Sequence, residues 1–289
     1  MAHDPRPVLD ELDFDGPLVM GILNTTPDSF SDGGRWATVD RGVAYAEQML
    51  RDGADIIDIG GESSRPGADP VSLDEELHRT IPVIEAMAGR CVISIDTAKP
   101  EVAEAAIAAG AHIVNDITAS LEAVAAAGNA GWIAMHMQGR PQTMQDDPHY
   151  DDVVAEVGAG LAAAGARGRE AGVDHVWLDP GIGFGKTTDH NLTLLRDLPE
   201  LIDIVGDRLL VGVSRKKFIG DILAINEQNN ADVDTNDRRE GSMVCSVWSW
   251  LRGAHIVRVH DVRVTALAAR HVRQLAHQNR DGYLDGTKP

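Results

Sequence analysis

Short apolar runs recur eight times along the chain, and each one ends at a polar or charged residue. Stretches rich in Ala and Glu with helical spacing, such as residues 41–52, 100–109 and 150–171, lie between the runs. Strands that are apolar throughout and alternate with helices belong to parallel sheets, and eight such units fit a closed (β/α)8 barrel. The sequence therefore predicts an α/β fold, a single TIM barrel over residues 17–277, with flexible termini at 1–16 and 278–289.

The polar endings of the runs are the first candidates for functional residues. In such a barrel the carboxyl ends of all strands meet at one mouth, where the active sites of these enzymes lie. In chain order the endings are Asn24, Glu62, Asp96, Asn115 with Asp116, His136, Asp179, Ser214 with Lys216, and His260. This set of amides, acids, cations and histidines predicts an enzyme.

Charge and composition narrow the class of partner. The formal net charge of −19 argues against nucleic acid or an anionic membrane, since either favours a basic face. A small anionic substrate stays possible because Arg65, Lys216, Lys217 and Arg258 provide local positive charge. The two cysteines form neither a disulfide framework nor a metal motif. With no basic and apolar leader and no apolar run near the ~20 residues of a membrane span, a cytoplasmic protein is expected.

Three segments near the predicted mouth are suited to an anion. Residues 24–34 and 60–67 are rich in glycine, hydroxyls and turn residues, which fits either ordinary turns or mobile loops that carry ligands. Phosphate sites in this fold often form after strands seven and eight, where Lys216 and Arg258 lie. His260 is either part of such a site or a structural histidine. A lone Arg258 inside a barrel requires an anionic or aromatic partner.

Several acids and an amide are predicted to lie inside the barrel: Asp58, Asp96, Asn115 and Asp116. A buried carboxylate is costly unless it meets a cation, a hydrogen-bond network or a ligand with adjacent N–H donors. A heterocycle with an amino group beside a ring N–H, as in pterins and guanines, would satisfy one carboxylate through two hydrogen bonds.

Nine segments, in order, resemble the motifs of the dihydropteroate synthase family. They cover most of the chain from residue 20 to residue 261: 20–34, 58–67, 94–97, 115–117, 135–137, 141–145, 179–186, 214–216 and 258–261. The resemblance implies the condensation of a dihydropterin diphosphate with 4-aminobenzoate, which yields dihydropteroate and diphosphate for folate biosynthesis. It also implies Mg²⁺ as cofactor and a homodimer.

The same resemblance implies a role for individual residues. Those that would bind the pterin are Asp96, Asn115, Ile117, Met135, Asp179, Phe184, Gly212, Lys216 and Arg258. Those that would bind the diphosphate are Asn24, Arg65, Arg258 and His260, with Mg²⁺ at Asn24. The aminobenzoate would contact Phe30, Ser63, Ser64, Pro66 and Lys217. The catalytic set would be Asp32, Arg65, Asp96, Lys216, Arg258 and His260.

The chain departs from the family pattern at three places. Ser64 stands where the family usually has Thr, and Lys217 stands where many members have Ser. The segment 117–132 is several residues shorter than usual, which affects the rim of the pterin pocket. The polar segment 226–237 is expected to form a long loop after strand seven, and His136 receives no functional assignment, a structural role being its default.

Two other functions fit parts of the pattern. A pterin-dependent methyltransferase would share the acids that bind pterin, but it has no diphosphate to hold with Ser214–Lys216 and Arg258–His260. A noncatalytic paralogue would bind pterin or act as a dimer scaffold, but it would not need the first two loops. The synthase accounts for all of these features together.

Overall fold

Eight parallel strands close a barrel in chain order in the computed structural model, which describes residues 5–12, 16–25, 35–63, 70–139, 143–226 and 233–280. The last strand pairs with the first, Leu18 with Ile256 and Met20 with Arg258. The strands are β1 Leu18–Asn24, β2 Ile56–Gly60, β3 Val92–Asp96, β4 Ile113–Asp116, β5 Gly131–Met135, β6 Val176–Asp179, β7 Arg208–Val211 and β8 Ile256–Val259. The predicted (β/α)8 barrel is confirmed.

Helices surround the strands and bury their apolar faces against them. Their N-termini are fixed by side chains such as Ser72, Asp152 and Thr187, each of which accepts a hydrogen bond from a backbone N–H of the first turn. The helices are α1 Arg6–Asp10, α2 Arg35–Asp52, α3 Leu73–Met87, α4 Pro100–Ala109, α5 Glu122–Ala127, α6 Val153–Ala171, α7 Thr188–Arg196, α8 Leu198–Val205, α9 Lys217–Asn226, α10 Arg239–Leu251 and α11 Val262–Arg280.

An apolar floor closes the amino-terminal end of the barrel. Leu9 of α1 is fully buried there, and Asp10 Oδ1 accepts a hydrogen bond from His175 Nε2 at 3.0 Å. The floor consists of Leu9, Leu18, Met20, Ile56, Val92, Ile113, Ile133, Trp177, Leu210 and Ile256. Within the segment 1–16, which the sequence predicts to be flexible, residues 6–10 form α1, and Leu9 completes this apolar cluster.

Along several strands the inward-facing side chains change from apolar residues at the floor to polar residues at the mouth. Side chains two residues apart on a strand lie on the same face. Thus Ile56 is followed on the inner face by Asp58, Trp177 by Asp179, and Ile256 by Arg258. The alternate residues face outward and pack against the helices. The inner polar residues are therefore set directly above an apolar layer that excludes water.

Two further sequence expectations concern the thiols and membrane segments. Cys91 and Cys245 are both free, and burial raises the pKa of each thiol to about 11. No helix within the described ranges is both long and apolar enough to cross a membrane.

Asp116, one of the acids expected to need partners, fastens the loop that follows β4. Its carboxylate accepts hydrogen bonds from the backbone N–H groups of Thr118, Ser120 and Leu121 at 2.7–2.8 Å. Trp132 Nε1 donates to it at 3.1 Å. Asp116 is fully buried and faces away from Asn115, the preceding inner residue. It is thus a structural residue that holds the loop from Thr118 to Leu121 in place.

We predict that Asp116→Asn destabilises the fold without touching the mouth. The amide nitrogen would face backbone N–H donors, so a loss of about 1–3 kcal/mol in the free energy of unfolding is expected, measured by urea denaturation. Asp151→Asn is the matched control, because the Asp151 side chain is 99 % exposed. An unchanged midpoint for Asp116→Asn would contradict this role.

Candidate active site

Arg258 lies at the centre of a buried ionic cluster inside the barrel mouth. Its Nε donates to Asp58 Oδ2 at 2.5 Å, and its Nη2 donates to Asp96 Oδ2 at 2.5 Å. Asn115 Nδ2 donates to the same Asp58 oxygen at 3.1 Å. The expected anionic partner of Arg258 is therefore a pair of carboxylates. This cluster joins four strands, β2, β3, β4 and β8.

The electrostatics of the cluster follow from its burial. Desolvation raises the pKa of Asp96 to about 7, although the Arg258 charge acts in the opposite direction. Burial by itself would lower the pKa of Arg258, but the carboxylates of Asp58 and Asp96 outweigh it and keep that pKa above its usual value. The guanidinium therefore stays charged, and burial makes Asp96 easier to protonate than an exposed carboxylate.

A second polar group faces the mouth from β6 and the turn after β7. Asp179 is buried, and its Oδ1 accepts a hydrogen bond from Gly181 N at 2.7 Å. Lys216 Nζ donates to the carbonyl of Ile182 and lies 4.6 Å from the centroid of the Phe184 ring. Burial raises the pKa of Asp179 and lowers that of Lys216 to about 8.

Gly212 leaves open the space between these two groups. A Cβ at this position would lie 3.7 Å from Lys216 Nζ, 3.8 Å from Asp179 Oδ2 and 3.9 Å from Arg258 Cβ. Three predicted site residues thus converge on the face of one glycine. The Asp179 carboxylate and the Lys216 ammonium thus approach one glycine, beside the side-chain stem of Arg258.

The turn after β7 is strained and is held by ion pairs. Arg215 has a left-handed backbone, φ 60°, which side-chain-bearing residues rarely adopt. Its guanidinium donates to both oxygens of Asp261, at 3.0 and 2.8 Å, and its N–H donates to Ser242 Oγ at 2.8 Å. This turn directs Lys216 toward Ile182 and Phe184. Strained backbone of this kind is common at functional sites.

His260 lies beside the same turn. Its Nδ1 is 3.0 Å from Ser214 Oγ, and its backbone N–H donates to that hydroxyl at 3.2 Å. Asn24 ends β1 next to Gly60, whose carbonyl accepts from both the backbone N–H and the hydroxyl of Thr25. These contacts fix the places where the first two loops begin.

The other predicted residues divide into three groups. Ile117 and Met135 share the wall of a cavity of about 370 Å³ between the ends of β4 and β5 and helix α6. Ser63 is described, but the calls on Phe30, Asp32, Ser64, Arg65 and Pro66 fall outside the described residues. Lys217 stands apart from the cluster, because its Nζ pairs with Asp221 at 2.7 Å and its side chain is largely exposed.

The sequence gives no specific role to two residues of the site, Asp58 and Lys186. It indicates Asp58 only as a buried acid, although a position two residues before Gly60 on an inner strand face points to the mouth. Lys186 is the last residue of the glycine-rich segment 179–186, which by itself indicates no role for it. In the structure its ammonium lies 3.2 Å from His136 Nδ1, so the unassigned His136 and Lys186 contact each other.

Known proteins resemble this chain over nearly its whole length. The family model for the pterin binding enzyme matches residues 20–260. Dihydropteroate synthase of Escherichia coli K12 is 49% identical over 269 residues, covering 90% of this chain and 92% of the relative. The Synechocystis enzyme of the same name is 48% identical and covers 86% of each chain.

Solved structures agree with these relatives. The Yersinia pestis dihydropteroate synthase with a sulfonamide drug complex has a TM-score of 0.83 and 43% identity, covering 92% of this chain and 96% of the other. The Xanthomonas albilineans dihydropteroate synthase with 4-aminobenzoic acid has a TM-score of 0.83 and 42% identity, covering 92% and 95%. With the same barrel and matches of this extent, the chain belongs to the pterin-binding enzyme family and, within it, to the dihydropteroate synthases.

Proposed function

We propose that this chain condenses 7,8-dihydropterin-6-ylmethyl diphosphate with 4-aminobenzoate to give 7,8-dihydropteroate and diphosphate, a step of folate biosynthesis. The observation that carries the proposal is the convergence of Asp179, Lys216 and Arg258 around Gly212. The Xanthomonas albilineans relatives bind 4-aminobenzoic acid and 7,8-dihydropteroate, the second substrate and the product of this reaction.

The pterin would bind flat between the two polar groups of the mouth. The Asp179 carboxylate accepts from the amino group and the neighbouring ring N–H, while Asn115 and Asp96 contact the opposite edge. Lys216 donates to a ring acceptor, and the guanidinium of Arg258 stacks on the ring. The apolar faces of the ring would contact Ile117, Met135, Phe184 and Gly212.

The diphosphate would lie over the ends of β1, β2 and β8. Asn24, Arg65, Arg258 and His260 are the proposed ligands, and cations there stabilise the charge that grows on the leaving group. Mg²⁺ fits this place through the Asn24 oxygen, since Mg²⁺ commonly keeps waters and binds one or two protein oxygens together with substrate phosphates. When bound, it would neutralise phosphate oxygens. Within the described ranges no cluster of three acidic, His or Cys side chains offers a complete protein cage.

The reaction requires bond exchange at the pterin methylene. The C–O bond to diphosphate breaks, the aminobenzoate nitrogen forms the new C–N bond, and that nitrogen then loses a proton. Asp96 and Asp32 would steady positive charge on the pterin methylene, while Phe30, Ser63, Ser64, Pro66 and Lys217 would hold the aminobenzoate. The arylamine is already neutral at pH 7, so no side-chain nucleophile or strong base is needed. A methyltransferase is not favoured, because it would leave the Ser214 and His260 side of the mouth without a ligand.

A turnover assay tests this function directly. The purified chain with both substrates and Mg²⁺ should release diphosphate and form dihydropteroate in equal amounts, measured by chromatography. Chelation with EDTA should abolish the release, and excess Mg²⁺ should restore it. Dihydropterin binding without product would support the noncatalytic alternative and would contradict the proposal.

We predict that Asp179→Asn cripples pterin binding. The amide replaces a double acceptor by one acceptor and one donor, and a hydrogen bond to a charged group contributes about 1.5–3 kcal/mol, so the Kd should rise at least about tenfold. Titration calorimetry with the dihydropterin diphosphate measures it. Asp207→Asn is the control, since Asp207 pairs with Arg169 beside the start of β7, at the far end of the barrel. Equal affinities for both variants would refute the assignment.

We also propose a homodimer formed through an apolar surface on α10 and α7. Val244, Trp248 and Leu251 lie on one face of α10 and are 61, 41 and 66% exposed, and Leu192 of α7 is 39% exposed. Exposed apolar patches of this kind commonly mark protein–protein contacts. The contact between α7 and α10 is supported by Trp248 Nε1, which donates to the Leu195 carbonyl at 2.8 Å.

The free thiols of Cys91 and Cys245 are consistent with a reducing compartment such as the cytoplasm, the location predicted from the sequence.

If this surface forms the dimer, a single charged side chain placed in it should dissociate the two chains. Leu251→Asp should convert the chain from a species of about 62 kDa, twice the 31.0 kDa of the chain, to a monomer in sedimentation equilibrium. Leu275→Asp on α11 is the matched control, because Leu275 is 64% exposed on another helix. A monomeric parent, or equal effects of the two substitutions, would exclude this interface.

A further inference from the structure

The glycine-rich loop after β6, residues 180–186, supports much of the proposed pterin site. It carries the Phe184 ring, the Ile182 carbonyl that accepts from Lys216, and the Gly181 N–H that donates to Asp179. A small displacement of this loop would therefore move three contacts of the site together. What holds the loop in place decides how accurately the pterin is bound.

The loop rests directly on the segment that follows β5. Gly181 and Gly185 have left-handed backbones, φ 63° and 60°. A Cβ at Gly181 would lie 1.9 Å from the His136 carbonyl oxygen, and one at Gly185 would lie 2.5 Å from that of Gln138. Only glycine permits this approach, which also brings the end of the loop over the His136 ring.

Lys186 fastens the loop from within. It is only 3% exposed, and its ammonium donates to the Phe184 carbonyl at 3.0 Å and lies 3.2 Å from His136 Nδ1. The ammonium is also 5.8 Å from the centroid of the Tyr150 ring. Burying an amine is costly, so these specific partners are needed to hold it. Lys186 thus connects the backbone of Phe184 to His136, the residue that follows β5.

The chemistry of the pair defines how His136 takes part. When Lys186 is charged its nitrogen can only donate, and it then donates to the Phe184 carbonyl and to Nδ1 of His136, which places the His136 ring proton on Nε2. Burial lowers the pKa of His136 to about 4 and that of Lys186 to about 7, so the histidine is neutral at physiological pH. Gly160 of α6 gives the ring room, since a Cβ there would lie 3.1 Å from its Cδ2.

We propose that Lys186 and His136 form a positioning pair, which holds the Phe184 carbonyl and so keeps the Phe184 ring against Lys216 in the pterin site. Neither residue touches substrate in this assignment. It deepens the proposed function, because the identity of the ligand rests on that function. Loss of the pair should weaken dihydropterin binding more than it slows the reaction at saturating substrate.

Three variants isolate the acceptor at His136 and the donor at Lys186. In His136→Asn the amide oxygen takes the place of Nδ1, whereas in His136→Gln it reaches the place of Nε2. Lys186→Met removes the donor but keeps the apolar stem. We expect Lys186→Met and His136→Gln to raise the dihydropterin diphosphate Kd about tenfold, a factor that matches the loss of one hydrogen bond. His136→Asn should stay within about threefold of the parent, and kcat should change less than KM.

Thr187→Ala is the matched control for stability. Thr187 follows Lys186 and caps α7 through its hydroxyl, which accepts from His190 N at 3.2 Å. The substitution should lower the melting temperature but leave dihydropterin affinity unchanged. Melting curves for all variants accompany the titrations, and if Lys186→Met does not fold, the comparison of His136→Asn with His136→Gln decides.

The outcomes separate this inference from the function on which it rests. Unchanged affinity in Lys186→Met, equal affinities in the two His136 variants, or an equal loss in Thr187→Ala would overturn the positioning pair while the parent still binds and turns over. A parent that fails to bind the dihydropterin diphosphate would overturn the proposed function and the positioning pair together.

Discussion

The ion cluster of Arg258 with Asp58 and Asp96 is the interaction on which the barrel mouth depends. Charges removed from water are costly, and removing one partner of a buried pair costs more than the pair contributes. Because the three residues belong to β8, β2 and β3, the cluster forms only when the barrel has closed between its last and first strands. Asn115, which donates to the same Asp58 oxygen, brings β4 into the arrangement.

The apolar floor makes this cluster possible. Leu9 and Trp177 seal the end of the barrel below the charges, and the two-residue periodicity of the strands then places polar side chains one layer higher. Opposite the cluster, Asp179 and Lys216 complete the mouth through a turn strained at Arg215. The floor thus keeps water away from below the cluster, whereas the charged groups lie where a ligand can satisfy their remaining donors and acceptors.

The sequence predicts the barrel and much of the mouth because strand endings are local features. Apolar runs reveal the strands, and the residue after each run lies at the mouth whatever its partners are. Contacts between residues on different strands cannot be predicted in this way. Arg258 and Asp58 are 200 residues apart, and Lys186 and His136 are 50 apart, so neither contact leaves a local signal. Lys217 pairs with Asp221, one helical turn further along α9, and this carboxylate competes with the predicted contact of Lys217 to the aminobenzoate. Leu9 lies in the predicted flexible segment 1–16, and only the structure reveals the apolar cluster that it joins.

A double-mutant cycle tests whether Asp58 contributes to ligand binding by positioning the Arg258 guanidinium. Asp58→Asn weakens one arm of the cluster, and Arg258→Lys removes the planar fork that bridges two carboxylates. The Kd of the dihydropterin diphosphate is measured for the parent, the two single variants and the double variant, all checked for folding. If Asp58 acts through Arg258, each single change weakens binding and the second adds little to the first, a coupling of at least about 1 kcal/mol. Losses that simply multiply would contradict the account.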